Sequence, residues 1–254
     1  MQKQRVDINK RFNYLRQLTA LVGKGSIPSA IITGVGGVGK TWTVQDTLQR
    51  MRLRDLSLFD DFGHGEVFEG EFKGTFRFIK GYSTAKALYK TMYTNNGAVL
   101  VFDDCDNILK DPTGVNILKG ALDSYDRRII SWRNTMTTKD KGLPPVFEFK
   151  GQVIFISNLS IEKIPQPLRS RSLCVDVSMN TNEKYDRMKE LIQQKDFMPE
   201  IGMLAKKDAL DEIMKNKLIN KDVSLRTLCT AIKLRSLGGD WKGLLEYCTT
   251  IQDA

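Results

Sequence analysis

A glycine-rich segment near the N-terminus has the residue types and spacing of a phosphate-binding loop. It reads Gly34-Val35-Gly36-Gly37-Val38-Gly39-Lys40-Thr41, which satisfies the pattern G-x-x-x-x-G-K-[ST]. The glycines let successive backbone N–H groups converge on phosphate oxygens, the lysine neutralises terminal phosphates, and the threonine hydroxyl suits Mg²⁺. A glycine-rich turn that binds nothing is the alternative, but it leaves the Lys-Thr pair at this offset unexplained. We therefore predict that residues 34–42, including Trp42, bind ATP with Mg²⁺.

Two adjacent carboxylates follow a later apolar run. Residues 98–102 are continuously apolar, as in a strand buried on both faces of a parallel sheet, and Asp103 and Asp104 come next. Open α/β sheets bind ligands at the carboxyl ends of their strands, which places both carboxylates beside the phosphate loop. We predict that Asp103 holds Mg²⁺, directly or through water, and that Asp104 polarises the attacking water. For Asp106, capping of the following turn is the alternative to a role in the site.

The elements that must position these residues alternate between strands and helices. Strands are predicted over residues 27–33, 75–79, 98–102, 153–156 and 173–177. Helices are predicted over residues 8–22, 41–52, 85–93 and 112–125, and beyond residue 180 over 182–194, 206–217, 224–237 and 241–247. Alternating strands and helices predict an α/β domain with a sheet of five parallel strands flanked by helices, followed by a small all-helical domain.

Three segments follow from this pattern. Residues 1–24 are predicted to form an N-terminal helix that packs on the core. Residues 25–180 are predicted to form the α/β domain, with a hairpin inserted near residues 127–150. Residues 181–254 are predicted to form the helical domain, because their apolar residues have helical spacing, as over residues 225–237.

Composition and charge bound the functional classes. The 254 residues carry a formal net charge of +9, which favours nucleic acid or another polyanion as partner, although solubility is an alternative reason. The four cysteines form no C-x-x-C pair, so neither a cysteine metal site nor a disulfide framework is indicated. The N-terminus lacks the apolar core of a signal peptide, and no apolar run is long enough to span a bilayer. We therefore expect a cytoplasmic protein without a membrane partner.

From about Ile27 to the C-terminus the chain resembles the AAA+ ATPase superfamily. Members carry a polar residue, commonly Asn, at the end of the strand after the Asp pair, and Asn158 follows the run 153–157. They carry an arginine just before the fifth strand, where Arg171 matches and Arg169 is the alternative. They also carry an arginine at the start of the third helix of a helical lid, and Arg226 in Ser224-Leu225-Arg226 looks like that residue.

The resemblance implies catalytic roles and an assembly. Asn158 is expected to orient water, and Arg171 and Arg226 to join Lys40 around the terminal phosphate. Because the arginine before the fifth strand reaches into a neighbouring subunit, a homo-oligomeric, hexamer-like ring or spiral is implied. The sequence departs from the family in one respect, because the family usually has Asp followed by Glu where this chain has Asp103 followed by Asp104. The side chain of Asp104 is one methylene shorter than Glu, which implies either slower hydrolysis or a backbone that lies closer to the nucleotide.

The predicted hairpin and the loop after the second strand bear on the substrate. Relatives with a hairpin at this point include hexameric helicases and DNA motors, which aim it into a central channel. Its basic residues suit phosphate contacts, and the candidates are Arg133, Lys139 and Lys141. A solvated surface hairpin is the alternative.

The loop after the second strand reads Lys80-Gly81-Tyr82. Protein-threading relatives place an aromatic residue beside glycine here to grip a polypeptide, whereas DNA-handling relatives place basic residues. Both kinds are present, and packing of Tyr82 at the edge of the sheet is a further alternative. Two hypotheses stay open. One is an ATPase that binds or remodels nucleic acid, as a helicase-like motor or a replication or recombination accessory factor, and the other is an ATPase that remodels a protein partner through Tyr82.

Overall fold

The computed structural model describes residues 6–57, 73–132, 142–216 and 223–252. The chain divides into two compact units. The sheet unit comprises Phe12–Gly34 and Lys40–Asp176, and the helical unit comprises Met1–Arg11, Val35–Gly39 and Val177–Ala254. Among the described residues, no helix is long and apolar enough to cross a membrane.

The strands are β1 (Ser29–Thr33), β2 (Leu53–Asp55), β3 (Gly74–Lys80), β4 (Val99–Asp103), β5 (Ile129–Ser131), β6 (Val146–Glu148), β7 (Gln152–Ser157) and β8 (Leu173–Asp176). The helices up to β8 are α1 (Ile8–Gly23), α2 (Lys40–Arg50), α3 (Ala85–Thr94), α4 (Asp106–Lys110), α5 (Pro112–Ala121) and α6 (Gln166–Arg169). The remaining helices are α7 (Thr181–Ile192), α8 (Met203–Lys215), α9 (Leu225–Leu237) and α10 (Trp241–Gln252).

The main sheet is parallel, with the strand order β2-β3-β4-β7-β1-β8. This confirms the predicted α/β class, with one strand more than the five expected. The additional strand, β2, covers only three residues, too few to show a periodic pattern. The pairing sets Thr33 beside Ser157 and Asp103 beside Ile156, so β1, β4 and β7 end at the same edge. That edge is where the predicted site residues begin.

The central strands are apolar because helices cover both faces of the sheet. Every residue of β1 and of β4 is buried, and the rings of Phe102 and Phe155 stack with their centroids 5.3 Å apart. Burial of such side chains contributes about 25 cal/mol for each Å² removed from water. The result is a rigid platform under the carboxyl edge.

One predicted helix is shorter than expected, and one helix was not predicted. The helix predicted over residues 112–125 begins at Pro112, as expected, but α5 ends at Ala121. The short helix α4 was not predicted, and it places Asp106 in a first helical turn. One helical turn takes about 3.6 residues, so a helix of five residues is too short to show a helical periodicity in its sequence.

The predicted hairpin is present as the antiparallel pair β5 and β6, in which Ile130 faces Phe147. Phe147 packs edge-to-face on Tyr89 and Tyr93 of α3, with ring centroids 5.1 and 5.4 Å apart. Two basic residues form polar contacts at the base of the hairpin. Arg127 pairs with Glu148 at 3.2 Å, and Arg128 donates to the carbonyl of Ala121. The candidates Arg133, Lys139 and Lys141 lie outside the described residues.

Phe147→Ala is expected to lower the free energy of unfolding by about 3 kcal/mol, because it removes a buried ring and leaves a cavity beside two tyrosines. Chemical denaturation of the full chain measures this loss. The control is Ile129→Ala in the paired strand, since the Ile129 side chain is exposed, and we expect it to cost less than about 1 kcal/mol. Equal losses for the two variants would contradict the packing argument.

In the helical unit, side-chain caps begin two of the helices. Asn180 and Glu183 form a capping box at the start of α7, and Ser224 and Thr227 form one at the start of α9. The buried core of this unit consists of Met188, Ile192, Ala209, Leu210, Ile213, Val223, Leu228, Ala231, Ile232, Trp241 and Leu245. The second capping box therefore fixes Ser224, the residue before Leu225 and Arg226. The resemblance assigned this segment to the lid.

Candidate nucleotide site

The backbone of the predicted phosphate loop requires glycine at three of its four glycine positions. Gly34, Gly37 and Gly39 have φ values of 146°, 71° and 90°, which L-residues with side chains rarely adopt. Helix α2 begins directly after them, at Lys40. A loop of this kind that opens a helix presents N–H groups and the positive end of the helix dipole to an anion. Trp42, in the first turn of α2, is 46% exposed.

The side chain of Lys40 is buried at the carboxyl edge of the sheet. Its Nζ donates to the carbonyl of Gly34 at 2.6 Å and to Oδ1 of Asn158 at 2.9 Å. A buried ammonium is stable only when oxygens compensate for its lost hydration. The lysine is therefore held at the loop, where its charge can meet a phosphate.

Thr41 and Asp103 are the candidate oxygen ligands for Mg²⁺. Thr41 Oγ1 donates to Asp103 Oδ2 at 2.9 Å, and Asp103 is 7% exposed. Burial raises the pKa of the Asp103 carboxyl, and the hydrogen bond from Thr41 lowers it in part. A hydroxyl and a carboxylate that already touch match the hard oxygen donors that Mg²⁺ prefers. These two residues would hold Mg²⁺, which when bound would neutralise phosphate charge.

Asp104 and Asn158 lie at the ends of neighbouring strands and bond to each other. Asn158 Nδ2 donates to Asp104 Oδ1 at 2.6 Å, while Asp104 N–H donates to the carbonyl of Ile156 at 3.1 Å. The φ of Asp104 is 56°, a left-handed conformation that Asp and Asn tolerate better than most residues. Lys40, Asn158 and Asp104 thus form one continuous chain of hydrogen bonds.

Asp106 does not cap the helix that follows, because Cys105 is its N-cap; its side chain instead bonds to Ser157, a partner that sequence reasoning missed. Ser157 Oγ donates to Asp106 Oδ1 at 2.6 Å and accepts from the N–H of Leu159 at 3.0 Å. Ser157 is completely buried. Both chain neighbours of Asn158 are fixed in this way, which sets the direction of its amide. The residue types carry no signal of this pairing, because its partners are distant in the sequence.

Ser157→Ala is expected to lower kcat for ATP about tenfold while changing nucleotide affinity less than about threefold. The reason is that Asn158 loses its support but Lys40 and Thr41 stay in place. Steady-state ATPase assays and titration with a fluorescent ADP analogue measure the two quantities. The control is Ser236→Ala, which removes an exposed hydroxyl whose hydrogen bond is to Lys233 within its own helix, α9. An equal drop in affinity and kcat would contradict a positioning role.

The loop after β3 places its two candidate residues differently. Lys80 pairs in register with Asp103. Burial raises the pKa of the Asp103 carboxyl, and the charge of Lys80 offsets part of that rise. Lys80 therefore lies next to the candidate metal ligands. Tyr82 is 81% exposed, so the alternative that it packs at the sheet edge was wrong.

Cys105, between the carboxylates and α4, has no nucleophilic role that the geometry supports. Burial raises the pKa of its thiol to about 11. Its Sγ donates to the carbonyl of Ile79 at 3.4 Å, so it ties β3 to the end of β4.

The three candidate arginines are placed as follows. Arg171, half-buried after α6, donates from Nη1 to the carbonyl of Pro167 at 3.0 Å. Arg169 lies two residues earlier, near Cys174. Burial raises the pKa of the Cys174 thiol, and the charge of Arg169 offsets part of that rise. In the helical unit, Leu225 N–H donates to the carbonyl of Gly37 at 3.0 Å. Arg226 is exposed, and its Cδ comes 3.9 Å from where a Cβ on Gly37 would lie.

The fold is similar to that of NtrX from Brucella abortus, solved in complex with ADP. The match has a TM-score of 0.52 and 14% sequence identity, and it covers 93% of this chain and 52% of that one. The chain thus shares the fold of the matched part of NtrX and spans about half the length of the NtrX chain. No protein-family profile matches the sequence.

One curated protein is similar in sequence. It is the "Uncharacterized 36.7 kDa protein in nrdC-mobD intergenic region" of Enterobacteria phage T4, which is 31% identical over 236 residues. The match covers 87% of this chain and 67% of the phage protein. Identity at this level over most of both sequences indicates common descent and a common fold. The chain belongs to the same protein family as this 36.7 kDa phage T4 protein.

Proposed function

We propose that the protein is an AAA+ ATP hydrolase. The observation that carries the proposal is the chain of hydrogen bonds that joins Lys40, Asn158 and Asp104. It brings a cation for the terminal phosphate, an amide that can orient water and a carboxylate that can accept a proton to one sheet edge. The ADP in NtrX, a protein of similar fold, supports an adenine nucleotide as ligand.

The proposed reaction needs positioning and charge compensation more than covalent chemistry. Residues 34–41 bind the phosphates, and Thr41 with Asp103 provides the Mg²⁺ ligands. Asp104 takes a proton from the attacking water, while the Asn158 amide holds that water in line. Arg226 belongs beside the terminal phosphate, supported by the approach of its side chain to Gly37.

We further propose that hydrolysis requires a homo-oligomer in which Arg171 completes the site of a neighbouring subunit. Mixing two inactive variants tests this arrangement. Lys40→Ala retains Arg171 but loses its own site, and Arg171→Ala retains the site but cannot complete its neighbour's. A mixture should recover a substantial fraction of wild-type ATPase activity, because some interfaces combine an intact site with an intact arginine. If mixed assemblies recover no ATPase activity, Arg171 does not complete the site of a neighbouring subunit. The matched comparison is the same mixing experiment with Arg169→Ala in place of Arg171→Ala.

Single-stranded DNA is the proposed partner. The net charge of +9 supports a polyanion. Lys80 and the exposed Tyr82 offer a phosphate contact and a face for base stacking within three residues. We expect DNA to stimulate the ATPase at low salt and the stimulation to fall steeply between about 50 and 200 mM salt. Unchanged ATPase activity and no DNA binding at low salt would reject this partner.

The second candidate is a protein-remodelling ATPase, favoured by the 81% exposure of Tyr82 next to Gly81. An unfolded polypeptide such as casein is the corresponding probe. Stimulation by casein that persists at 200 mM salt, without stimulation by DNA, would favour this candidate, because apolar contacts are not screened as phosphate contacts are.

A further inference from the structure

We propose that Asn107 couples the nucleotide site to the loop that presents Tyr82. The inference rests on the proposed ATP site, because Asn107 lies in α4, directly after the segment that carries Asp103 and Asp104. It assigns to Asn107 the role of a positioning residue, which acts on Tyr82 through the backbone of Ser83.

The side-chain amide of Asn107 bonds to the backbone of Ser83 in both directions. Asn107 Nδ2 donates to the carbonyl of Ser83, and the N–H of Ser83 donates to Asn107 Oδ1 at 3.4 Å. Ser83 is 7% exposed, so water cannot readily replace these bonds. One side chain of α4 thereby holds the residue that follows Tyr82.

The residue before Tyr82 is held by the same segment. Gly81 N–H donates to the carbonyl of Asp103 at 3.3 Å, from a glycine with a φ of 78°. Thr84 then caps α3 by accepting from Ala87 N–H at 3.2 Å, which anchors the far end of the loop. Tyr82 is thus exposed between two residues that are both bonded to the segment 103–107.

These bonds suit a loop that responds to the nucleotide. The hydrogen bonds from the Gly81 and Ser83 N–H groups, at 3.3 and 3.4 Å, are longer than the usual range of about 2.7–3.2 Å, so a small shift of the segment 103–107 strengthens or breaks them. A ligand changes a loop only if it binds differently to the two arrangements. We expect nucleotide bound next to Asp103 and Asp104 to meet this condition, because the same segment bonds to the loop.

Hydrogen–deuterium exchange of the full chain, with and without ATPγS and Mg²⁺, tests the coupling. In the wild-type protein we expect nucleotide to change exchange in the segment 81–84 at least about threefold. In Asn107→Ala, Ser83 N–H loses its acceptor, so its exchange should rise about tenfold without nucleotide, and the response to nucleotide should be lost. Asn116→Ala, which removes an exposed amide on α5, is the control and should respond as the wild type does.

A second variant separates coupling from a general loss of structure. Asn107→Asp keeps an acceptor for Ser83 N–H but cannot donate to the Ser83 carbonyl, and its size is unchanged. We expect it to lose the response in segment 81–84, with a melting temperature close to that of the wild type and normal protection of residues 34–41 by nucleotide.

The outcomes distinguish the two proposals. If nucleotide protects residues 34–41 but segment 81–84 does not respond, or if both Asn107 variants respond as the wild type does, the coupling role is wrong and the ATP site stands. If nucleotide protects neither segment, the proposed ATP site is wrong, and the coupling falls with it.

Discussion

Lys40→Ala is expected to lower kcat/KM for ATP by about a thousandfold or more. The lysine is 5% exposed, and its ammonium lies between Gly34 and Asn158 at the sheet edge. Alanine removes the positive charge that would meet the terminal phosphates, and no other side chain takes its position. Steady-state ATPase assays and binding of a fluorescent ATP analogue measure the effect.

Two further lysine variants make this result specific. Lys40→Met keeps an unbranched side chain of similar length without charge, so it should lose nearly as much activity as Lys40→Ala while retaining better packing. Lys24→Ala removes an exposed lysine just after α1 and should leave kcat/KM within about twofold of wild type. A folded Lys40→Ala protein that retains a tenth of the wild-type kcat/KM would contradict the assignment.

Asp104→Asn is expected to lower kcat at least about a hundredfold while leaving ATP affinity within about threefold of wild type. Asparagine tolerates the left-handed backbone at this position, and its amide oxygen can still accept from Asn158. What it loses is the carboxylate that accepts a proton from water. Single-turnover hydrolysis separates this step from binding.

Asp104→Glu provides the complementary test. The ATPases that the sequence resembles usually carry Glu here, but a φ of 56° favours Asp over longer side chains, so the exchange should cost about 0.5–1 kcal/mol of stability. Asp104→Glu should keep more activity than Asp104→Asn, because it retains a carboxylate. If Asp104→Asn hydrolyses ATP at the wild-type rate, a group other than Asp104 activates the water.

The part of the site that lies at strand ends was predictable from sequence. A phosphate loop has a fixed spacing, and buried parallel strands appear as apolar runs that end in polar residues, as β4 ends before Asp104 and β7 before Asn158. The geometry brings Lys40, Asp104 and Asn158 together as this reasoning implied. Their catalytic roles remain predictions for the experiments above.

The remaining features depend on contacts between residues distant in the sequence. The bond of Ser157 to Asp106 and that of Asn107 to Ser83 join different loops and strands, and neither leaves a periodic pattern. The left-handed conformation of Asp104 follows from its bonds to Ile156 and Asn158, not from its own preference alone. Short elements such as β2 and α4 are likewise set by the neighbours against which they pack.

The position of β1 in the sheet has a consequence for the order of folding. This strand, which delivers the phosphate loop, is paired on one side by β7 and on the other by β8, both encoded far downstream. Such nonlocal pairing is slow, because chain entropy must be lost before the contacts form. During synthesis, β1 has both neighbours only after Asp176 has left the ribosome. Because the proposed site draws on the ends of β1, β4 and β7, nucleotide binding by a growing chain would report that these three strands have paired.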